Sequence, residues 1–351
     1  MHKKLKSERI TENTRRRMRV SRREFICAAA GAGGALLAGQ YIGCSTGSQL
    51  PRKGLGNLFM EGEKPILVAV EGTDFKRMLE AGLDALGGLK KLVAGKNVVL
   101  KPNVVASQPP PVTTDPEALA TVADLARTAG AGLLTACDSN SSGVGKAGKF
   151  EDTGYPAYLK RAGVALDAID FGDRMEHVFV SKESWRANST IGVVKTLQQA
   201  DVIINLPMVK RHGAARFTCA LKNHFGSVYG PLRFVAHNKM ESGGDEGKAL
   251  FDTTLAEFAD AVRPELNIVD ARALLIRGGP SLSGKAEVKS GINKIILCGD
   301  MVATDAYCSR LMQESDDTFS PDMISFQLEM AVKLGLGQND LNKVVIKEIV
   351  V

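Results

Sequence analysis

From Pro65 onward, short β-branched runs alternate with longer stretches in which apolar residues return every third or fourth position. Ile66–Val70 reads as a strand. Phe75–Val93 reads as one helix, with Met78, Leu79, Leu83, Leu86 and Leu89 on a shared face and Gly95-Lys96 as its end. Asn97–Leu100 is a second strand. Asp115–Ala129 follows as a helix, with Thr114 as its cap and Pro116 in its first turn. Further strands are expected at Leu133–Ala136, Val164–Ile169, Val178–Val180, Val202–Leu206, Asn267–Val269, Lys294–Leu297 and Val344–Val350. Helices are expected at Ala214–Phe225, Thr254–Val262, Ala303–Met312 and Met323–Lys333. Strands alternating with helices predict an α/β fold, a mostly parallel central sheet with helices on both faces. No internal repeat is evident.

The first residues follow another pattern. A basic, polar arm precedes Ile26–Gly43, an uncharged Ala/Gly-rich stretch, so residues 1–44 read as a signal peptide. Ser21-Arg22-Arg23-Glu24-Phe25 resembles a twin-arginine export signal, with Arg22 and Arg23 as the paired arginines. As a membrane anchor the stretch is too short and too rich in Gly and Ala. Ile42-Gly43-Cys44-Ser45 resembles a lipobox, although Tyr41 stands where Leu is usual. Two outcomes stay open: a lipid on Cys44 that ties the protein to the membrane, or ordinary cleavage that leaves this thiol free or removes it. Residues 45–62 are expected to be a flexible linker, and residues 63–351 one large α/β domain. The expected location is across the cytoplasmic membrane, periplasmic or membrane-anchored, with the twin-arginine translocase as the partner during export.

Charge matters only once the leader is set apart. The chain of 351 residues carries a formal charge of +6, but residues 1–24 alone hold ten Lys/Arg and three Glu. The remainder is close to neutral, which argues against a nucleic-acid-binding face. With 44% apolar and 24% charged residues, disordered and collagenous classes are excluded. Beyond Cys44, Cys137, Cys219, Cys298 and Cys308 are spread singly, without the spacing of a metal cluster or a disulfide framework.

Ligands of open α/β sheets sit at the carboxyl ends of the strands. After Val98-Val99-Leu100 come Lys101, Pro102 and Asn103. After Leu133–Ala136 come Cys137 and Asp138, then a small polar loop whose Gly143-Val144-Gly145-Lys146 lacks the spacing of a phosphate-binding loop. After Val202–Leu206 the densest segment begins: Lys210, Arg211 and His212, then Lys222, Asn223 and His224 at the expected helix end. Cations there also suit the helix dipole, and a solvated basic loop is the bland alternative. Interleaved Phe217, Leu221 and Phe225 tie the segment to the core instead. Arg233 and His237 follow in a Gly-flanked loop that could close over the same place. Asp270 ends a strand and is placed to orient a Lys, a His or a cation. Asp305, near a helix start, is as well explained by capping.

These stretches carry a resemblance. Val99-Leu100-Lys101-Pro102-Asn103, Thr113-Thr114-Asp115-Pro116, Leu206-Pro207 with Lys210 and His212, Leu221-Lys222-Asn223 with Phe225-Gly226, and Leu266 to Ala271 resemble the domain of unknown function 362 family. So do Gly278-Gly279-Pro280, Ala303-Thr304-Asp305-Ala306 and Leu334-Gly335-Leu336-Gly337, in the same order along nearly the whole mature chain. The resemblance implies an α/β fold and no settled reaction. Members with an iron–sulfur module need clustered cysteines that this chain lacks, so no cluster is expected, and the cofactor is otherwise unknown. A remote kinship to lactate racemase-like proteins would imply a nickel-pincer nucleotide, with a Lys to hold it and His residues to move a proton. Lys210, His212, Lys222 and His224 supply those types.

Three readings follow. The first is an exported enzyme acting on a small anionic or carboxylate-bearing substrate. Lys101, Asn103, Lys210, Lys222 and Asn223 would bind it, His212 or His224 would transfer protons, and Asp138 and Asp270 would orient them. The second is a non-catalytic envelope protein that captures an anionic or nucleotide-like ligand. The third, a divalent-metal site of Asp138, His212, His224 and Asp270, lacks the H-x-x-x-H type of spacing and is not adopted.

Overall fold

The computed structural model describes residues 49–139, 153–170 and 172–351. Arg22, Arg23 and Cys44 lie outside them. The segment expected as a flexible linker is docked from Gln49 onward, where it bridges to Val180. Arg52 makes an ion pair of 2.9 Å with Glu265, and Phe59 is fully buried. The tether reading fails because Glu265 is itself buried and also receives the N–H groups of Leu55 and Ile203.

Strands β1 (Met60–Glu61) and β2 (Lys64–Glu71) form a hairpin. Helices α1 (Phe75–Ala85) and α2 (Lys90–Val93) occupy the stretch expected as one helix. Gly87 and Gly88 break it, at φ values of 88° and 81° that residues with a Cβ avoid. Next come β3 (Val98–Lys101), α3 (Pro116–Thr128), β4 (Leu134–Ser139), α4 (Tyr155–Arg161) and β5 (Ala165–Ile169). The cap of α3 is Asp115, whose side chain accepts from the Glu117 N–H. Thr114, expected in that role, instead bonds Asn103 and Leu206.

A small antiparallel pair, β6 (His177–Val180) and β7 (Ile191–Val194), precedes α5 (Lys195–Gln198). Strand β8 (Val202–Asn205) continues past Leu206-Pro207 into β9 (Met208–His212), which pairs with β10 (Arg216–Thr218). Thus the helix expected over 214–225 is a strand, the short helix α6 (Ala220–Asn223) and a 3₁₀ turn over His224–Ser227. Arg216 sits at a φ of 63° and Cys219 is non-helical, with φ −156° and ψ −132°, so no continuous helix can form. Helices α7 (Gly230–Ser242) and α8 (Gly244–Val262), strands β11 (Leu266–Ile276) and β12 (Glu287–Cys298), helices α9 (Met301–Ser315) and α10 (Ser325–Lys333), and β13 (Val345–Val350) complete the chain.

The main sheet runs β1-β2-β12-β11-β8-β3-β4-β5, with β13 against β2 and β9 against β11. Pairs β11/β8, β8/β3, β3/β4, β4/β5 and β13/β2 are parallel, whereas β12 runs antiparallel to both neighbours. The fold is therefore α/β with a mostly parallel sheet. Alternation along each strand feeds cores on both faces. Val98 and Leu100 join the core under α1, α3 and α4, and Val99 and Ile203 join the one that includes Phe251, Leu255 and Phe258 of α8. Leu67, Val269 and Ile296 pack with Val302, Cys308 and Met312 of α9. Register sets the site: Lys101 at the carboxyl end of β3 lies opposite Asn205 at the carboxyl end of β8, and Asn205 lies opposite Asn267 at the start of β11.

Candidate ligand site at the carboxyl edge of the sheet

The end of β3 carries Lys101, which is fully buried and reaches Asp138 of β4 at 2.8 Å. The same ammonium donates to the Pro102 carbonyl, and Asp138 also accepts from the Val104 N–H. Burial lowers the Lys101 pKa, and the Asp138 charge works against that shift. Gly226 lies against this pair: a Cβ there would stand 2.5 Å from the Asp138 carboxylate and 2.9 Å from the Lys101 ammonium. Only a residue without a side chain fits.

Four asparagines cross the sheet at this level. Lys210 donates to Asn103 Oδ1 and to the Val112 carbonyl. Asn103 Nδ2 donates to Asn223 Oδ1 (2.7 Å), Asn223 Nδ2 to Asn205 Oδ1 (2.7 Å), and Asn205 Nδ2 to Asn267 Oδ1 (2.9 Å). Asn267 then donates to the Cys298 carbonyl. An ammonium at one end and carbonyl acceptors at Ala220, Lys101 and Cys298 leave each amide a single orientation. All the amide oxygens therefore face toward Lys210, stabilising its charged form. Burial nevertheless brings Lys210 down to about 7, with Asp138 pulling upward and Lys101 downward.

A cavity of about 300 Å³ opens beside this network, lined by Asn103, Asp138, His212, Lys222, Asn223, Phe225, Arg233 and His237 among others. Lys222 is 8% exposed, with its ammonium 3.6 Å from the Phe225 ring centroid. It has no carboxylate partner among the described residues. Burial first, then Arg233 and Lys210, hold its pKa well below the ordinary 10.5. Its backbone is fixed because Asp305 of α9 accepts from the Ala220 and Leu221 N–H groups that begin α6. Arg233 gives its Nε and one terminal nitrogen to the Val228 carbonyl, and burial lowers it to about 10.

His212 Nδ1 accepts from the Ala214 and Ala215 N–H groups, both at 3.1 Å. A backbone N–H can only donate, so a neutral His212 carries its proton on Nε2. Burial, Lys222 and neighbouring cations hold its pKa well below 6.5. His212, expected to transfer protons, is thus a hydrogen-bond donor at Nε2. His237 stacks on it with ring centroids 6.2 Å apart, and burial with Lys222 brings His237 to about 4. Arg233 and His237, expected in a loop, stand on helix α7.

Two expected members do not join. His224 is fully buried and is not among the cavity-lining residues, its Nδ1 lies 3.2 Å from Ser227 Oγ, and burial takes it to about 3. Asp270 is tied to Arg272 at 2.7 Å, and Arg272 also holds Asp115 at 3.0 Å, beside a separate surface cleft. Asp138, His212, His224 and Asp270 consequently form no metal-ligand group, and no cluster of three or more His, Cys, Asp or Glu suited to a metal occurs among the described residues. Of the four residues expected for a nickel-bearing nucleotide, Lys210 is spent on Asn103 and Val112 and His224 is sealed away, whereas Lys222 and His212 line the cavity. Sequence reasoning missed Asn205 and Asn267, whose only signal was an Asn placed at each of two strand ends.

The arrangement defines an α/β protein with a cation-lined cavity at the carboxyl edge of its parallel strands. Residues 98–310 match the family described as Domain of unknown function (DUF362), and the chain belongs to that family. Over 215 residues it is 33% identical to a thylakoid-associated protein of Synechocystis sp., covering 59% of this chain and 61% of that protein's length. Among solved structures it is similar to the lactate racemase apoprotein from Thermoanaerobacterium thermosaccharolyticum, with a TM-score of 0.46, 10% identity, and coverage of 68% of this chain and 55% of that one. A Thermotoga maritima protein solved by a structural genomics consortium gives a TM-score of 0.43 at 14% identity, covering 70% and 60%.

Proposed function

We propose that the cavity takes up a small carboxylate-bearing ligand and that the protein is an enzyme acting on it. One observation carries this reading: Lys222 is 8% exposed, lines the cavity and has no carboxylate partner among the described residues. Arg233 and Lys210 act on it as neighbouring cations, and Asp138 is the carboxylate whose charge acts on both of these. An anion about 4 Å from one such cation gains on the order of 4 kcal/mol at an effective dielectric of about 20. The His212 Nε2–H supports a developing oxyanion, and the neutral ring of His237 supports proton removal beside it.

The site is expected to work outside the cytoplasm, after export by the twin-arginine translocase, with a lipid on Cys44 holding the domain at the membrane. The relative's description as thylakoid-associated is in keeping with a membrane-apposed position. No helix among the described residues is long and apolar enough to cross a membrane.

Calorimetric titration of the mature chain with acetate, propanoate, pyruvate and inorganic phosphate tests the binding. Saturable binding of a carboxylate is expected, lost in Lys222→Met. Equal binding in wild type and variant would remove the reading. Deuterium exchange from solvent into the carbon next to the bound carboxylate, followed by NMR, separates turnover from simple capture.

A further inference from the structure

Resting on that anion site, and going further into its chemistry, we propose that Lys222 is a nucleophilic amine that condenses with the carbonyl of a small 2-oxo acid. Three lysines are buried here, and two are already engaged. Lys101 is bound to Asp138 and the Pro102 carbonyl, and Lys210 to Asn103 and the Val112 carbonyl. Lys222 alone of the three lines the cavity, and its ammonium faces an aromatic ring. The Phe225 ring face favours the ammonium, but burial in a wall shared with the Arg233 guanidinium and near Lys210 works against the charge more strongly, so the free amine is favoured. The low pKa caused by burial, Arg233 and Lys210 agrees with that environment.

The substrate class follows from the neighbours. Arg233 brings a permanent charge into the same wall, which suits a carboxylate. A carboxylate held there places the adjacent carbon, the carbonyl of a 2-oxo acid, toward the Lys222 amine. The Nζ lone pair forms a C–N bond to that carbon while the C=O π pair moves onto oxygen. The His212 Nε2–H can hydrogen-bond the oxygen as it becomes negative. One proton passes from nitrogen to oxygen, giving the carbinolamine. Loss of the hydroxyl as water, with the second nitrogen proton, leaves the imine, so a ketone and an amine yield an imine and one water. No oxidant or further reactant is needed.

Reductive trapping tests this. The mature full-length protein is incubated with pyruvate and sodium cyanoborohydride at neutral pH, and adducts are located by peptide mass spectrometry. The expected product is a single adduct on Lys222, with the mass of pyruvic acid less water plus two hydrogens. Its rate should exceed that of surface lysines by at least about tenfold, since each unit of pKa lowering raises the amine fraction about tenfold. Propanoate, which has the carboxylate and no ketone, should compete. Lys222→Arg should still bind propanoate and give no adduct; if the arginine variant does not fold, the position of the wild-type adduct, on Lys222 or on surface lysines, decides. Pyruvate that binds calorimetrically yet labels only surface lysines would overturn the imine and leave the anion site standing. Absence of binding by both acids would overturn the anion site as well. Labelling by acetaldehyde as fast as by pyruvate would overturn the assignment to 2-oxo acids.

Discussion

Asp138→Asn gives the most quantitative test of the site's electrostatics. The substitution keeps the shape and can keep the acceptor for the Val104 N–H, but removes the charge from a pair in which Lys101 is fully buried and Asp138 is 3% exposed. Breaking such a pair costs about 3–5 kcal/mol, because the remaining ion is left uncompensated. An upper bound comes from letting Lys101 give up its proton instead. At pH 7 that costs at most about 4–5 kcal/mol against an unfolded lysine near 10.4, and at pH 9 only about 2 kcal/mol. The sign follows from proton counting. Burial already lowers the Lys101 pKa, and removing Asp138, the largest cause raising it, lowers it further. Between that folded value and the unfolded one, the unfolded variant binds more protons, so the variant's stability rises with pH. Urea unfolding of both proteins at pH 7 and pH 9 should show a deficit of about 3–4 kcal/mol that narrows to about 2 kcal/mol or less. A deficit under about 1 kcal/mol at pH 7, or one that is equal at both pH values, would refute the reasoning.

Four other outcomes are expected. Gly226→Ala should lower stability by about 1–3 kcal/mol in the same urea assay, since the new methyl meets the Asp138 carboxylate and the Lys101 ammonium, both already held; a fully stable variant would show that the pair can move. Lys222→Met should leave stability unchanged or raise it by about 1–4 kcal/mol in thermal unfolding, because an apolar side chain replaces a buried cation without a carboxylate partner; a marked loss would point to a partner outside the described residues. Replacing Arg22 and Arg23 with Lys should retain precursor in the cytoplasm, and labelled fatty acid should enter the wild type and not Cys44→Ala, with fractionation and autoradiography as the readouts.

Much of the frame was legible along the chain. Parallel strands buried on both faces read as unbroken apolar runs, and Val98–Leu100 and Val202–Ile204 are of that kind. Position at strand ends alone put Lys101 and Asp138 at the carboxyl edge of the sheet. The region from residue 214 to 225 misled for a physical reason. Phe217, Leu221 and Phe225 recur at helical spacing, yet they feed different cores, Phe217 stacking on Phe319 and Phe225 packing on Phe251 and Phe258. Apolar spacing shows that residues are buried, and says nothing of whether one core or two receive them.

Other features were decided by contacts distant in sequence. Asp270 looked available, but residues two apart on a strand share a face, and Arg272 takes its carboxylate. The amide chain depends on strand order: Asn205 meets Asn267 because β8 lies between β3 and β11 in register. The buried state of Lys222 depends on Asp305, eighty-odd residues later, holding the start of α6, and on α7 carrying Arg233 and His237 into the cavity wall. Sequence determined that Lys101 and Asp138 stand at the ends of strands β3 and β4, because local periodicity fixes those strands. Asp270, expected at a strand end, lies inside β11. Only the tertiary structure decided which of those charges are neutralised, because desolvation and pairing arise between segments that the chain order keeps apart.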